Sequence, residues 1–157
     1  MTERTRQAEI SDLRTQPHFL PQHVQHVWEE WWKPNGMPRE QLETRAREAL
    51  GEGTIPFTLI AHEGERFLGT VSVIESDLDL RPALRPWVAA LWVTPDARRR
   101  GLGIALGEAA VARAFELGEV AVHLYAGPYL RPFYQPRWKT VESGVGPKGV
   151  DIYVRRA

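Results

Sequence analysis

The stretch Val93-Thr94-Pro95-Asp96-Ala97-Arg98-Arg99-Arg100-Gly101-Leu102-Gly103-Ile104-Ala105-Leu106 decides how this chain reads. It runs from an apolar strand through a proline stop and an arginine cluster to two glycines one residue apart, then into a helix. That order builds an anion cradle. Glycine lacks a Cβ, so the backbone can turn sharply and come close to a ligand. The first N–H groups of a helix have no internal acceptor and stand at the positive end of its dipole. Arginines beside them add fixed charge in a planar shape that matches phosphate.

Other glycine-rich loops fit less well. A P-loop needs a Lys-Ser/Thr pair after its last glycine, and none follows Gly101 or Gly103. A dinucleotide fingerprint needs a third glycine where Leu106 stands; Gly107 comes one residue late. The bland competitor is a tight strand-to-helix turn with Arg98–Arg100 merely solvated.

Outward from the cradle, the periodicities give an element order. Ala8–Leu13 reads as a short first strand. Val24, Val27, Trp28 and Trp31 fall at i, i+3, i+4 and i+7 of a helix begun by Pro21, with His23 and His26 on its outer face. A second helix fits Arg39–Leu50, stopped by Gly51 and Gly53. Phe57–His62 and Arg66–Glu75 form a hairpin around Gly64. Trp87–Val93 is apolar at every position and so reads as a central strand covered on both faces. A helix over Arg100–Leu117 and a strand over Val120–Tyr125 imply a parallel crossover. A short helix or turn over Tyr129–Tyr134 and closing strands Trp138–Val145 and Val150–Arg155 complete a mixed α/β sheet with helices on both faces.

Bulk properties narrow the function. The chain of 157 residues reads as one domain, 1–157, large enough for its own core. Twenty basic residues balance twenty acidic ones, which argues against nucleic acid or a membrane surface as partner. There is no cysteine, so a thiolate nucleophile and a Cys-ligated metal are excluded, and no His/Asp/Glu cluster has metal spacing. No apolar leader follows Met1 and no run approaches membrane-span length, so a cytoplasmic location is expected.

The pattern R-x-x-G-x-G, filled by Arg98, Gly101 and Gly103 after Val93-Thr94-Pro95, together with the element order and Phe133-Tyr134, resembles the GNAT superfamily of N-acetyltransferases. The resemblance covers most of the chain. It implies a mixed, mostly antiparallel sheet of 6–7 strands with a splayed central parallel pair. It implies acetyl-CoA as co-substrate, no metal, and a small-molecule or peptide amine as acceptor; a homodimer is among the states it allows. Backbone N–H groups from Arg99 through Arg100, Gly101, Leu102 and Gly103 to Ile104 would hold the pyrophosphate, with Arg98 beside them adding charge. Leu91, Trp92 and Val93 would pair with the pantetheine arm through main-chain hydrogen bonds and polarise the thioester carbonyl. Tyr134 matches the family tyrosine that protonates the leaving thiolate. Two departures stand out. Gln135-Pro136-Arg137-Trp138 lacks the glycine the family places after its tyrosine, and Gly127 stands where many members have an asparagine.

The acceptor amine must be neutral to attack the thioester carbonyl, and an alkylamine of pKa about 10 is mostly protonated at pH 7, so a base or water relay is expected. Val120–Tyr125 carries no carboxylate, only His123 and Tyr125 as polar residues. Glu75 is the candidate base: it shares strand parity with Val71 and Val73, which would bury it partly and raise its pKa. A solvated strand end is its competing reading, and Asp77 and Asp79 are the alternatives. The expected function is acetyl transfer to an amine by direct attack in a ternary complex; the alternative is a catalytically weakened acyl-CoA-binding or regulatory module of the same fold.

Overall fold

The computed structural model describes residues 8–157. Seven strands form one sheet in the order β1-β2-β3-β4-β5-β7-β6. They are β1 Glu9–Asp12, β2 Phe57–Glu63, β3 Arg66–Ile74, β4 Trp87–Val93, β5 Ala121–Ala126, β6 Lys139–Val145 and β7 Val150–Arg156. Every neighbouring pair is antiparallel except β4–β5. The helices are α1 Leu20–Val27, α2 Arg39–Ala46, α3 Leu102–Glu116 and α4 Arg131–Tyr134. Among the described residues no helix is long and apolar enough to cross a membrane.

Strand alternation explains why both faces of the sheet are covered. In β2, Leu59 packs into the cluster that holds Leu106, Ala110 and Ala114 of α3, whereas Ile60 packs with Leu20 and Val24 of α1 and Leu42 of α2. The expected mixed sheet, its parallel crossover and the helices on both faces are all present.

Three expectations need correction. His23 is not on an outer face: it is 3% exposed, with Nδ1 2.7 Å from the Thr70 hydroxyl. It lies three residues after Leu20 and four before Val27, so it shares their buried stripe, and Thr70 on β3 supplies the polar partner that makes burial tolerable. Burial lowers its pKa to about 4, so the ring is neutral at pH 7. His26 lies flat against Trp92 and Phe67, with ring centroids 4.2 and 5.3 Å away. Trp31, expected in the core, is 41% exposed. The helix widens into a π turn over Trp28–Trp32, where each residue advances by a smaller angle, and Trp31 rotates off the apolar stripe.

The third correction concerns β4. Trp87, Val88 and Val93 are buried, but Ala89 through Trp92 are only half-buried. Two local features open the strand. Ala90 takes a left-handed φ of 55°, and the β3–β4 register shifts between Thr70 and Ser72. An extra residue on one strand bends it and turns its side chains. On the other side β4 pairs with β5 at one position only, Trp87 with His123.

Gly69 fixes how closely β3 and β4 approach. A Cβ there would meet the Trp92 carbonyl oxygen at 2.9 Å and Leu106 Cδ1 at 3.0 Å. Gly69→Ala must push β4 or α3 away, so we expect it to lower stability by about 1–3 kcal/mol in denaturant titrations. An unchanged midpoint would show that β4 can shift without loss.

Candidate active site

Past the Trp87–His123 bridge β4 has no partner on its β5 side, and the gap opens into a cleft. Leu91 of β4, Leu124 of β5, Gly103, Ile104, Gly107 and Glu108 of α3, Phe133 and Tyr134 of α4, and Arg137 and Trp138 after it line the cleft. Leu91, Trp92 and Val93 thus present a free strand edge beside the cradle. A free edge is a template for an extended ligand with its own amide groups.

The cradle is built by two left-handed residues, Arg99 at φ 66° and Gly101 at φ 76°. Gly101 is the N-cap of α3, and the first backbone bond of that turn runs from Ala105 N–H to the Gly101 carbonyl at 3.0 Å. The N–H groups of Leu102, Gly103 and Ile104 are therefore left for a ligand. Gly103 borders the cleft: a Cβ there would stand 3.6 Å from Phe133 and 3.8 Å from Val93.

The three arginines differ. Arg98 turns back and donates through Nε to the Val93 carbonyl at 2.9 Å, with its guanidinium 5.8 Å from the Trp92 ring centre. It ties down the end of β4. Arg99 is exposed, and Arg100 is exposed with Nη1 3.7 Å from Glu63 on β2. A second pair, Arg66 with Asp96, and a 2.8 Å bond from Thr94 N–H to the Leu68 carbonyl fasten the same loop to the β2–β3 hairpin.

Tyr134 is 8% exposed and lies in the cleft wall, edge-on to Phe133 and 5.6 Å from Tyr153, centre to centre. Burial, with Tyr153 and Tyr129 nearby, pushes its hydroxyl up to about 12, so it is protonated at pH 7. The segment after it closes without a glycine: Trp138 N–H donates to the Tyr134 carbonyl at 2.9 Å, and the Trp138 side chain is buried beside Tyr134 in the core. The Tyr129 ring occupies the place of the asparagine side chain, since a Cβ on Gly127 would come within 2.5 Å of it.

The carboxylates are arranged differently from expectation. β3 ends at Ile74 and the chain turns away, so strand parity does not reach Glu75, which is exposed instead of partly buried. Asp77 has the environment expected of Glu75. The loop carrying it is anchored by Leu78 and Leu84, which pack, as Tyr125 does, against the buried cluster of Trp87, Val145, Val150 and Ile152. Burial and the neighbouring Asp79 raise the Asp77 carboxyl to about 6. Asp77 and Asp79 also act on Tyr125, where burial first and then their charges push the hydroxyl up to about 12. The sequence signal for Asp77 was Leu78 beside it, an apolar anchor in a polar loop. His123 packs at 5.5 Å on Trp87 and its Nδ1 lies 3.3 Å from the Pro86 carbonyl, a structural role at the bridge.

Comparison with known proteins agrees with this architecture. The model of the acetyltransferase (GNAT) family matches residues 24–136. No curated protein matches the chain. Among solved structures, an acetyltransferase from Streptococcus agalactiae is 16% identical with a TM-score of 0.68, over 96% of this chain and 98% of its own. Escherichia coli ElaA is 16% identical with a TM-score of 0.68, over 95% and 99%. The yncA protein of Salmonella typhimurium, solved with its cofactor acetyl-CoA, is 13% identical with a TM-score of 0.67, over 95% and 93%. These likenesses concern the fold, while the family model spans most of the sequence and includes the cradle. The chain belongs to the acetyltransferase (GNAT) family.

Proposed function

We propose that this acetyltransferase moves the acetyl group of acetyl-CoA to a primary amine by direct attack, with both substrates bound at once. The observation that carries the reading is the unpaired edge of β4 running into a cradle of free N–H groups. A pantetheine arm needs the first and a pyrophosphate the second. That yncA of Salmonella typhimurium holds acetyl-CoA on a similar fold supports the same donor.

In this reading the N–H groups from Arg99 to Ile104 hold the pyrophosphate, and Arg99 and Arg100 add charge at the rim. Main-chain groups of Leu91, Trp92 and Val93 hold the pantetheine arm, and an N–H among them polarises the thioester carbonyl. The amine nitrogen bonds to the carbonyl carbon, and the C–S bond then breaks. Asp77 accepts the surplus proton of the attacking nitrogen. Tyr134 donates a hydrogen bond to the sulfur as it leaves as thiolate. An ordinary thiol has pKa about 8.5, so the hydroxyl at about 12 is the weaker acid and its first service is that hydrogen bond. With no cysteine in the chain, no thioester acyl-enzyme forms. Asp77 and Asp79 on the acceptor side suit a cationic amine. Titration calorimetry with acetyl-CoA, followed by thiol-release assays across an amine panel, tests the whole reading. Absence of coenzyme binding at millimolar concentration refutes it, and binding without any turnover would favour the regulatory alternative.

Three variants separate the parts. Gly103→Val places methyl groups in the cleft and should weaken acetyl-CoA binding by about tenfold or more while the fold survives; intact affinity would put the cradle elsewhere. Tyr134→Phe should lower kcat by about a hundredfold with little change in coenzyme affinity, and equal loss of both would make the tyrosine structural. Asp77 must be ionised to accept a proton, so kcat/KM for the amine should rise with pH through about 6, and Asp77→Asn should abolish that limb. The same shift has a stability sign. A carboxyl whose folded pKa lies above its unfolded value loses stability as pH rises through that window, here from about 4 to about 6. Asp77→Asn should therefore stabilise the fold at pH 7 by about 1 kcal/mol in denaturant titrations.

A further inference from the structure

Helix α4 carries Tyr134 but is a single turn of 4 residues, Arg131–Tyr134. A turn that short has no stability of its own, because nucleation costs more than one turn of hydrogen bonds returns. Something outside it must set where the Tyr134 hydroxyl stands. Two contacts come from β7. Asp151, 0% exposed, receives a two-pronged grip from Arg131: Nε to Oδ2 at 2.7 Å and Nη2 to Oδ1 at 3.1 Å. Tyr153, two residues along the same strand face, packs at a tilt against Tyr134. Arg131 lies three residues before Tyr134, so the gripped side chain and the phenol leave the helix on one side.

Asp151 is also the last partner in the β5–β7 register, opposite Ala126, where β5 runs out beside the cleft. The grip therefore joins α4 to the strand wall that borders the gap. The Tyr153 hydroxyl is buried with no hydrogen-bond partner among the described residues. The ring below Tyr134 thus contributes packing, and the directional contact comes from the ion pair. Arg131 holds the Asp151 carboxyl below the usual carboxylate range, chiefly through its hydrogen bonds. The grip is therefore intact at neutral pH and is lost only as pH falls through that lowered value.

We propose that the Arg131–Asp151 pair is a positioning device for the reaction, a clamp that fixes α4 on β7 and so sets the distance of the Tyr134 hydroxyl from the thioester sulfur. The proposal rests on the reading of Tyr134 as the group that serves the leaving thiolate. Arg131 and Asp151 touch no substrate in it; they act through Tyr134.

Asp151→Asn is the main test, since it keeps the shape and leaves the half-exposed Arg131 free to reach water. Arg131→Lys is the second variant; it keeps the charge but loses the fork. Both should lower kcat by about tenfold or more, with KM for acetyl-CoA changed less than about twofold. Added to Tyr134→Phe, either variant should cost no further kcat. Amide exchange gives a readout independent of activity. The Gln135 and Trp138 amides, bonded to the carbonyls of Arg131 and Tyr134, should lose protection in Asp151→Asn while those of β2 and β3 keep theirs. Unchanged protection at Gln135 and Trp138, or losses of kcat that add fully to that of Tyr134→Phe, would overturn the clamp. Should Tyr134→Phe alone leave kcat intact, the role given to Tyr134 falls, and the exchange measurement still decides whether the pair holds α4.

Discussion

Two parallel strands that pair at Trp87 and His123 and then separate leave a row of main-chain groups on β4 without partners. Buried backbone groups left unpaired are costly, so a sheet opens in this way only where its surroundings hold it open. Here the left-handed Ala90, the register shift against β3 and the loop tied by Arg98, Arg66–Asp96 and Thr94 fix β4 from its far side. The wedge is thus held by the well-paired half of the sheet. The cradle, the free edge and the wall that carries Tyr134 all meet along that opening.

Opposite charges gather in different parts of the molecule. On the α3 side stand the free helix N–H groups and the exposed Arg99 and Arg100, suited to an anionic donor. Near β3, β4 and β5 stand Asp77 and Asp79, with Tyr125 close enough to feel both. A half-buried carboxyl raised to about 6 is held at a loss to the fold. Groups kept in such surroundings gather where proton transfer is needed.

Much of the fold was legible because its signals are local. The cradle is contiguous, helix phases and strand alternation repeat over a few residues, and turn glycines stand next to what they end. Apart from Trp31, displaced by a local π turn, the misreadings depend on partners distant in sequence. Polar His23 looked like an outer residue because Thr70, which makes its burial possible, is on another element. The apolar run of β4 looked fully covered because a missing neighbour leaves no mark on the strand that lacks it. Glu75 had the right parity but lies one residue beyond the end of its strand, whereas Asp77 is drawn inward by the anchors Leu78 and Leu84. The grip of Asp151 on Arg131 joins residues 20 positions apart, and no pattern in the chain announced it.

In backbone pairing, the single bridge between β4 and β5 divides the sheet into two plates, β1–β4 and β5–β7–β6, which otherwise meet through α3 and the side chains of the core beneath it. A seam with one backbone bridge resists sliding less than the fully paired seams within each plate. A donor lying along β4 would supply the cross-tie that the chain leaves out. Bound along β4, that donor would add to the seam the backbone pairing that the chain itself supplies only at Trp87 and His123.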